Sequence, residues 1–183
     1  MVSDEGTLLS QGIGELSQGV REHAWQVAAT VTDPELPMLT LADLGVLREV
    51  EEENGRLVVS ITPTYTGCPA MDTMRDDLVR VLNIAGYGDV EVRTVLSPAW
   101  SSDWISAEGS RKLAAHGIAP PGDVPPQDAG PVPLTLGPPV RAVHCPQCDA
   151  TDTEQLSRFS ATACKALRRC RVCQEPFEHF KEI

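Results

Sequence analysis

The 183-residue chain carries 15 Lys and Arg against 26 Asp and Glu, a formal net charge of -11, with 42% hydrophobic and 22% charged residues. Single domains usually run to about 100 to 150 residues, so this length accommodates one ordinary core and a small appendage. The composition excludes a disordered chain, and no stretch approaches the roughly 20 apolar residues that a membrane helix needs. The acid excess disfavours a general affinity for nucleic acid or anionic membrane and favours basic partners or other proteins.

Asp4 and Glu5 stand where a secretory signal would have a basic start, so a cytoplasmic location is expected. In that reducing compartment, six cysteines with paired spacing point to metal rather than to disulfides.

Leu16, Val20, Ala24, Val27, Ala28 and Val31 recur at helical spacing, which predicts an amphipathic helix ended by Asp33-Pro34-Glu35-Leu36-Pro37. Strands are expected over about 46–52 and 56–62, because Asn54-Gly55 between them is a tight-hairpin signal. Leu57, Val59 and Ile61 alternate toward the core. The acidic run Glu49, Glu51, Glu52 and Glu53 reads as the solvated face and end of this hairpin. A second helix starts near Pro69, a favourable first-turn residue, buries Met71, Met74, Leu78, Val81, Leu82 and Ala85, and stops at Gly86. Val90, Val92 and Thr94 alternate as a third strand, and 106–116 reads as a short surface helix. The sum, over 14–118, is an α+β unit in which a small sheet of about three strands packs against helices.

From 119 to 140 the chain is dominated by proline, including Pro120, Pro121, Pro125, Pro126, Pro131, Pro133, Pro138 and Pro139, which predicts an extended, semi-rigid linker. Residues 141–183 hold too few apolar side chains for an independent core. Cys145-Pro146-Gln147-Cys148 and Cys170-Arg171-Val172-Cys173 supply another source of stability. Each C-x-x-C is short enough for both thiolates to converge on one ion, and the two together make a tetrahedral four-thiolate ribbon. One zinc ion per chain is the expected occupant, because its binding free energy replaces the missing core.

Cys164 is a further thiol nearby, open to two readings: part of an iron–sulfur or labile site, or a spare buried cysteine. His144 and His179 lie close enough in sequence to substitute as ligands, although with four thiolates at hand surface or packing roles are expected. Lys165, Arg168, Arg169, Arg171 and Lys181 make the ribbon basic, either to offset thiolate charge or to dock an acidic partner. Nucleic-acid binding by the ribbon is disfavoured by the charge of the whole chain.

Cys68 sits in Thr64-Tyr65-Thr66-Gly67-Cys68-Pro69, where the first core strand gives way to the second helix. A helix N-terminus favours an anion, so a stabilised thiolate is expected there, as nucleophile or transient metal ligand, beside the plainer reading of a small residue at a cap. His23 is the one histidine among this unit's core elements, and nothing in the sequence brings it to Cys68. Asp33 and Glu35 are open either as metal ligands or as solvated acids of a turn. Trp100 and Trp104 are open as a local core plug or as exposed binding anchors.

Asp33-Pro34-Glu35-Leu36-Pro37, Asp43-Leu44-Gly45 and Thr64 to Pro69 resemble the iron–sulfur-assembly-associated family that includes SufT. With Ser97-Pro98-Ala99-Trp100, Asp103-Trp104, Ser160 to Ala166, Glu175-Pro176-Phe177 and the ribbon, the chain further resembles the PaaD family, also called the PaaJ subunit family of phenylacetate-CoA oxygenase. The resemblance implies an accessory role in ring 1,2-epoxidation of phenylacetyl-CoA by a multicomponent oxygenase, through maturation of iron or iron–sulfur centres and without catalysis of its own. It implies that Cys68 handles iron or a cluster, with Asp33 and Glu35 beside the same site. The implied partners are the oxygenase or reductase components and iron–sulfur assembly proteins. No histidine here has a Glu three residues before it, so the di-iron oxygenase signature is absent, and no Gly-rich dinucleotide fingerprint marks a reductase. A component that stays bound to the oxygenase, its zinc purely structural, is the alternative.

Overall fold

The structure is a computed structural model that describes residues 18–65, 67–122 and 142–183. Leu16, Thr66 and most of the expected linker lie outside the described residues. Helix α1, Gln18–Ala28, buries Ala24 and Ala28. Strands β1 (Leu47–Glu53) and β2 (Arg56–Ile61) form the expected antiparallel hairpin. Its turn has Asn54 at φ 54° and Gly55 at φ 82°, the left-handed pair that such a two-residue turn demands. Helix α2, Met71–Ile84, buries Met74, Leu78 and Leu82 and carries the chain over to β3 (Val90–Thr94), which lies parallel to β2 in the order β1-β2-β3. Ala85, expected in the buried stripe, is exposed beyond the helix end, where Gly86 at φ 98° turns the chain.

Leu57, Val59 and Ile61 are buried as expected, but Val58, on the opposite face, is buried too at 2% exposure. The cause is its central position. Val58 pairs with Glu51 on one side and Glu91 on the other, and on this face the ion pairs Arg93–Glu53 (2.8 Å) and Arg56–Glu91 (3.1 Å) lie across the strands. The solvated acidic face expected at the hairpin is therefore also a charge lattice, whose aliphatic stems shield a valine.

The loop after β3 fastens the 40–45 turn. Trp100, 4% exposed, donates its indole N–H to the Leu44 carbonyl at 2.9 Å, so it is a core plug. Arg48 stacks 3.6 Å over the Trp104 ring. Gly45 stands at φ 66°, and a Cβ there would meet Trp104 at 2.6 Å, so no other residue fits. Helix α3, Ala107–Ala115, is capped by the Ser106 hydroxyl, which accepts from the Gly109 N–H at 2.9 Å. Its Leu113 is fully buried, so this helix is a core element on one side and not merely a surface one. Asp43, 8% exposed, binds Lys112 Nζ at 2.7 Å and the Thr40 N–H at 2.9 Å, which ties α3 to the turn.

A second sheet, ordered β4-β7-β6-β5, contains β4 (Ile118–Ala119), β5 (Thr153–Ser157), β6 (Lys165–Cys170) and β7 (Pro176–Phe180). Strand β4 directly follows α3 and pairs parallel with β7, which joins the cysteine-bearing ribbon to the first unit by backbone hydrogen bonds. The Trp100 and Phe180 rings, 6.0 Å apart, and the Ser102 N–H to Ile183 carbonyl bond of 3.1 Å extend this seam. Cys164 and Phe180 pack with the first unit's core, whereas the second buried cluster among the described residues joins Ala119 of β4 to Val143, Cys145, Cys170 and Phe177. Among the described residues, no helix is long and apolar enough to cross a membrane.

Candidate metal centre and the Cys68 site

The two C-x-x-C turns are built alike. Each is followed by a left-handed non-glycine residue, Asp149 at φ 59° and Gln174 at φ 63°. In each the first sulfur accepts a backbone N–H at 3.4 Å, from Gln147 to Cys145 and from Cys173 to Cys170. Strand β6 delivers Cys170 at its end, and the β6–β7 turn returns Cys173. All four sulfurs lie within 4.8 Å of one another, with Cys145–Cys173 at 3.7 Å and Cys148–Cys170 at 3.6 Å. A tetrahedral zinc with bonds of about 2.3 Å would hold its sulfurs about 3.8 Å apart, so the donor set fits that ion.

The electrostatics agree. Backbone N–H groups of Cys173 and Val172 and the adjacent thiols bring Cys170 down to about 7 against its burial. Cys173 has the Glu175 N–H in its favour, yet burial and the thiols Cys148, Cys170 and Cys145 push it up to about 12. Thiols this crowded cannot all lose their protons unless a cation compensates. His144 pairs with Asp149 Oδ1 at 2.9 Å on the surface, and neither it nor His179 belongs to the donor set.

The second cluster gathers around Cys68 from three segments. Asp33, 7% exposed, accepts the backbone N–H groups of Glu35 and Leu36 on Oδ1, both at 2.8 Å, which builds the Asp-Pro-Glu turn. Burial still raises the Asp33 pKa, against those two bonds and the charge of Lys165. Cys68 is half-buried just before α2, and its pKa is raised, first by burial and then by Glu35 and Asp33, which outweigh the Ala70 N–H and a Tyr65 hydrogen bond. This corrects the expectation of a thiolate stabilised at the helix start: nearby carboxylates and desolvation overcome a single backbone donor. Tyr65 is pushed up to about 12 by burial and by the charges of Cys68, Glu35 and Cys164.

Cys164, expected near the ribbon's thiols, stands apart from the four-cysteine set. It is 5% exposed in the first unit's core, and the Thr162 hydroxyl lies 3.0 Å from its sulfur. Burial raises its pKa, and Glu35 and Asp33 raise it further while Lys165 opposes them. Glu35 thus acts on Cys68, Tyr65 and Cys164 together. Among the described residues, only the four ribbon cysteines bring three or more such donor atoms within 4.8 Å, so the Cys68 cluster is not a preformed chelate. His23 lies elsewhere, its Nδ1 2.7 Å from the Tyr87 hydroxyl. Tyr65 carries no signal of its own in the sequence beyond its place three residues before Cys68 in the same motif. Nothing local marks Cys164 as its neighbour.

Residues 129–181 match the PaaD zinc β-ribbon domain, and residues 21–94 match the family of iron–sulfur cluster assembly proteins. A protein of Escherichia coli (strain K12) assigned as a subunit of 1,2-phenylacetyl-CoA epoxidase is 38% identical over 165 residues, 87% of this chain and 91% of that one. An Fe-S protein maturation auxiliary factor of Porphyromonas gingivalis is 33% identical over 86 residues, 46% of this chain and 81% of the relative. A crystal structure of a domain of unknown function, DUF59, from Bacillus anthracis is similar at 28% identity and TM-score 0.48, over 52% of this chain and 92% of that chain. Since both domain matches occur in order and the likeness to the Escherichia coli protein runs through nearly the whole of each sequence, the chain belongs to the PaaD family, an iron–sulfur-assembly-type unit followed by a zinc β-ribbon.

Proposed function

We propose that this chain is a cytoplasmic accessory factor for the multicomponent phenylacetyl-CoA epoxidase, which assists assembly of that enzyme's iron or iron–sulfur centres and does not itself catalyse the epoxidation. The supporting observation is the group of side chains biased toward their protonated forms, Asp33 by burial and Tyr65, Cys68 and Cys164 by burial and by nearby negative charge, with Glu35 acting on all three of the latter. A cation delivered there replaces the protons and converts mutual repulsion into ligation. Thiols with carboxylates suit iron or a cluster in transit, and the absence of a preformed chelate suits release to a client. The ribbon holds one structural zinc, its four thiolates shaping a tail that contributes only Val143, Cys145, Cys170 and Phe177 to the second buried cluster. The partners are the oxygenase or reductase components of the epoxidase and, upstream, iron–sulfur assembly proteins.

The test is to mature the epoxidase beside the wild-type chain, Cys68→Ser and Cys164→Ser, and to measure iron content and epoxidation. Loss of iron loading with Cys68→Ser, in a variant that still binds one zinc, is expected. Full loading with both variants overturns the proposal. If such variants also co-purify with the epoxidase at fixed stoichiometry, the chain is a permanent structural component instead.

A further inference from the structure

The ribbon's cations fall into two groups. Arg169 and Arg171 are ion-paired to Glu154, and Lys165 to Glu178 at 2.7 Å. Arg158, Arg168 and Lys181 have no ion pair among the described residues, in a chain with 26 acids to 15 Lys and Arg. A shortage of carboxylates is not the reason. All three instead line one cavity of about 510 Å³, together with Phe159, His179 and Glu182. That volume lies in the range of small-molecule sites, about 300 to 1,000 Å³.

The cavity is built by strand register. Arg168 of β6 lies opposite Gln155 of β5, and His179 of β7 stands on the same face opposite Ala166. His179 is 4% exposed and its Nε2 has no hydrogen-bond partner among the described residues, Glu182 Oε1 standing 3.7 Å away. That carboxylate oxygen already accepts the Gly122 N–H at 3.2 Å. Among the described residues Arg168, partly buried, donates only to Thr153, at 3.1 Å to its hydroxyl and 3.4 Å to its carbonyl. The guanidinium of Arg158 makes no hydrogen bond among the described residues, and Lys181, whose Nζ donates to the Arg158 carbonyl at 3.3 Å, lies 4.6 Å over the ring of Phe159, which is 60% exposed. A buried ring nitrogen without a partner is expensive to leave unused, and the two guanidinium groups beside it have no carboxylate of their own.

We infer that this cavity binds a small-molecule phosphate ester, its phosphate held by Arg158, Arg168, Lys181 and the His179 Nε2–H, with the ring or base it carries lying on Phe159. Three cations against the one carboxylate of Glu182 leave two positive charges, which match a phosphate monoester of about -1.5 to -2. Guanidinium forks suit phosphate geometry, and an exposed aromatic ring beside them provides a stacking face. This site is separate from both the four-cysteine set and the Cys68 cluster.

The test titrates the metal-loaded, full-length chain with inorganic phosphate, adenosine 5′-monophosphate, adenosine and a hexaglutamate peptide, following the His179 ring signals by NMR and affinity by calorimetry. Saturable shifts of His179 are expected with phosphate and more tightly with the monophosphate, and none with adenosine. Arg158→Gln and Arg168→Gln each weaken monophosphate binding about tenfold, as loss of a charge-assisted bond should. Arg169→Gln, on an ion-paired residue outside the cavity, leaves it unchanged. Arg158 is exposed, so that variant reads binding without threatening the fold. Silence of His179 toward millimolar phosphate, or equal binding by the Arg158 variant, overturns the inference. So does a hexaglutamate peptide that binds while phosphate does not, which would make the cavity a dock for an acidic segment.

Discussion

Replacing Trp100 by Ala tests the seam between the two sheets. The side chain is 4% exposed, donates to the Leu44 carbonyl at 2.9 Å, and meets Phe180 of the ribbon at 6.0 Å. A tryptophan buries roughly 150 to 250 Å², which at about 25 cal/mol per Å² is about 4 to 6 kcal/mol of transfer free energy as an upper bound. Large aromatic truncations in cores cost about 3 to 5 kcal/mol. We therefore expect a loss of about 4 kcal/mol, a large share of the roughly 5 to 15 kcal/mol that holds a typical domain folded. Trp100→Phe keeps most of the packing but removes the N–H with part of the fused ring, leaving the Leu44 carbonyl without its donor, at about 1 to 2 kcal/mol. Urea unfolding of the metal-loaded protein, followed by circular dichroism, reads both. With a slope of about 2 kcal/mol per M, the midpoint falls by about 2 M for Ala and by less than about 1 M for Phe. A midpoint unmoved by the Ala variant, or moved equally by both, would refute the reasoning.

Removing the ribbon's metal with a chelator, or substituting Cys170→Ser, should collapse β5–β7 while the β1-β2-β3 sheet survives; NMR amide dispersion lost from both sheets alike would contradict this. Elemental analysis should find one metal ion per chain, lost in the Cys170 variant. At Asp43, burial pushes the carboxyl up, but Lys112 and the Thr40 N–H and hydroxyl outweigh it and hold the pKa below its usual value. The stability this contributes is complete above the unfolded value of about 4 and disappears as pH falls through the lower folded value. Asp43→Asn should cost about 2 kcal/mol at pH 7, the Lys112 partner being part-exposed, and should flatten the acid limb of the stability curve. An acid limb identical to wild type would exclude Asp43 as its source. Because Cys68 is raised rather than lowered, iodoacetamide should label it at pH 8 more slowly than it labels glutathione, and mass spectrometry showing faster labelling would restore the thiolate reading.

Whatever depended on neighbours in the chain was legible beforehand. The Asn54-Gly55 turn, the stripe Met74, Leu78 and Leu82, and the paired C-x-x-C motifs each need only a few consecutive residues, so backbone preference and thiol chemistry define them alone. Strand β4 could not be foreseen, because two residues carry no periodicity, and its pairing with β7 belongs to a contact about sixty positions away. The same limit hid the meeting of Asp33 and Cys68 with Cys164, which lies on the far side of the proline-rich stretch. Nor could the run Arg168, Arg169 and Arg171 reveal which of its members Glu154 would neutralise, since alternation along β6 and its register with β5 make that choice. Local sequence determined the helices, the β1–β2 hairpin and the four-thiol ligand set, because those interactions close within a few turns of chain. Packing and register decided the rest, because they set which distant charges, thiols and rings share one volume away from water.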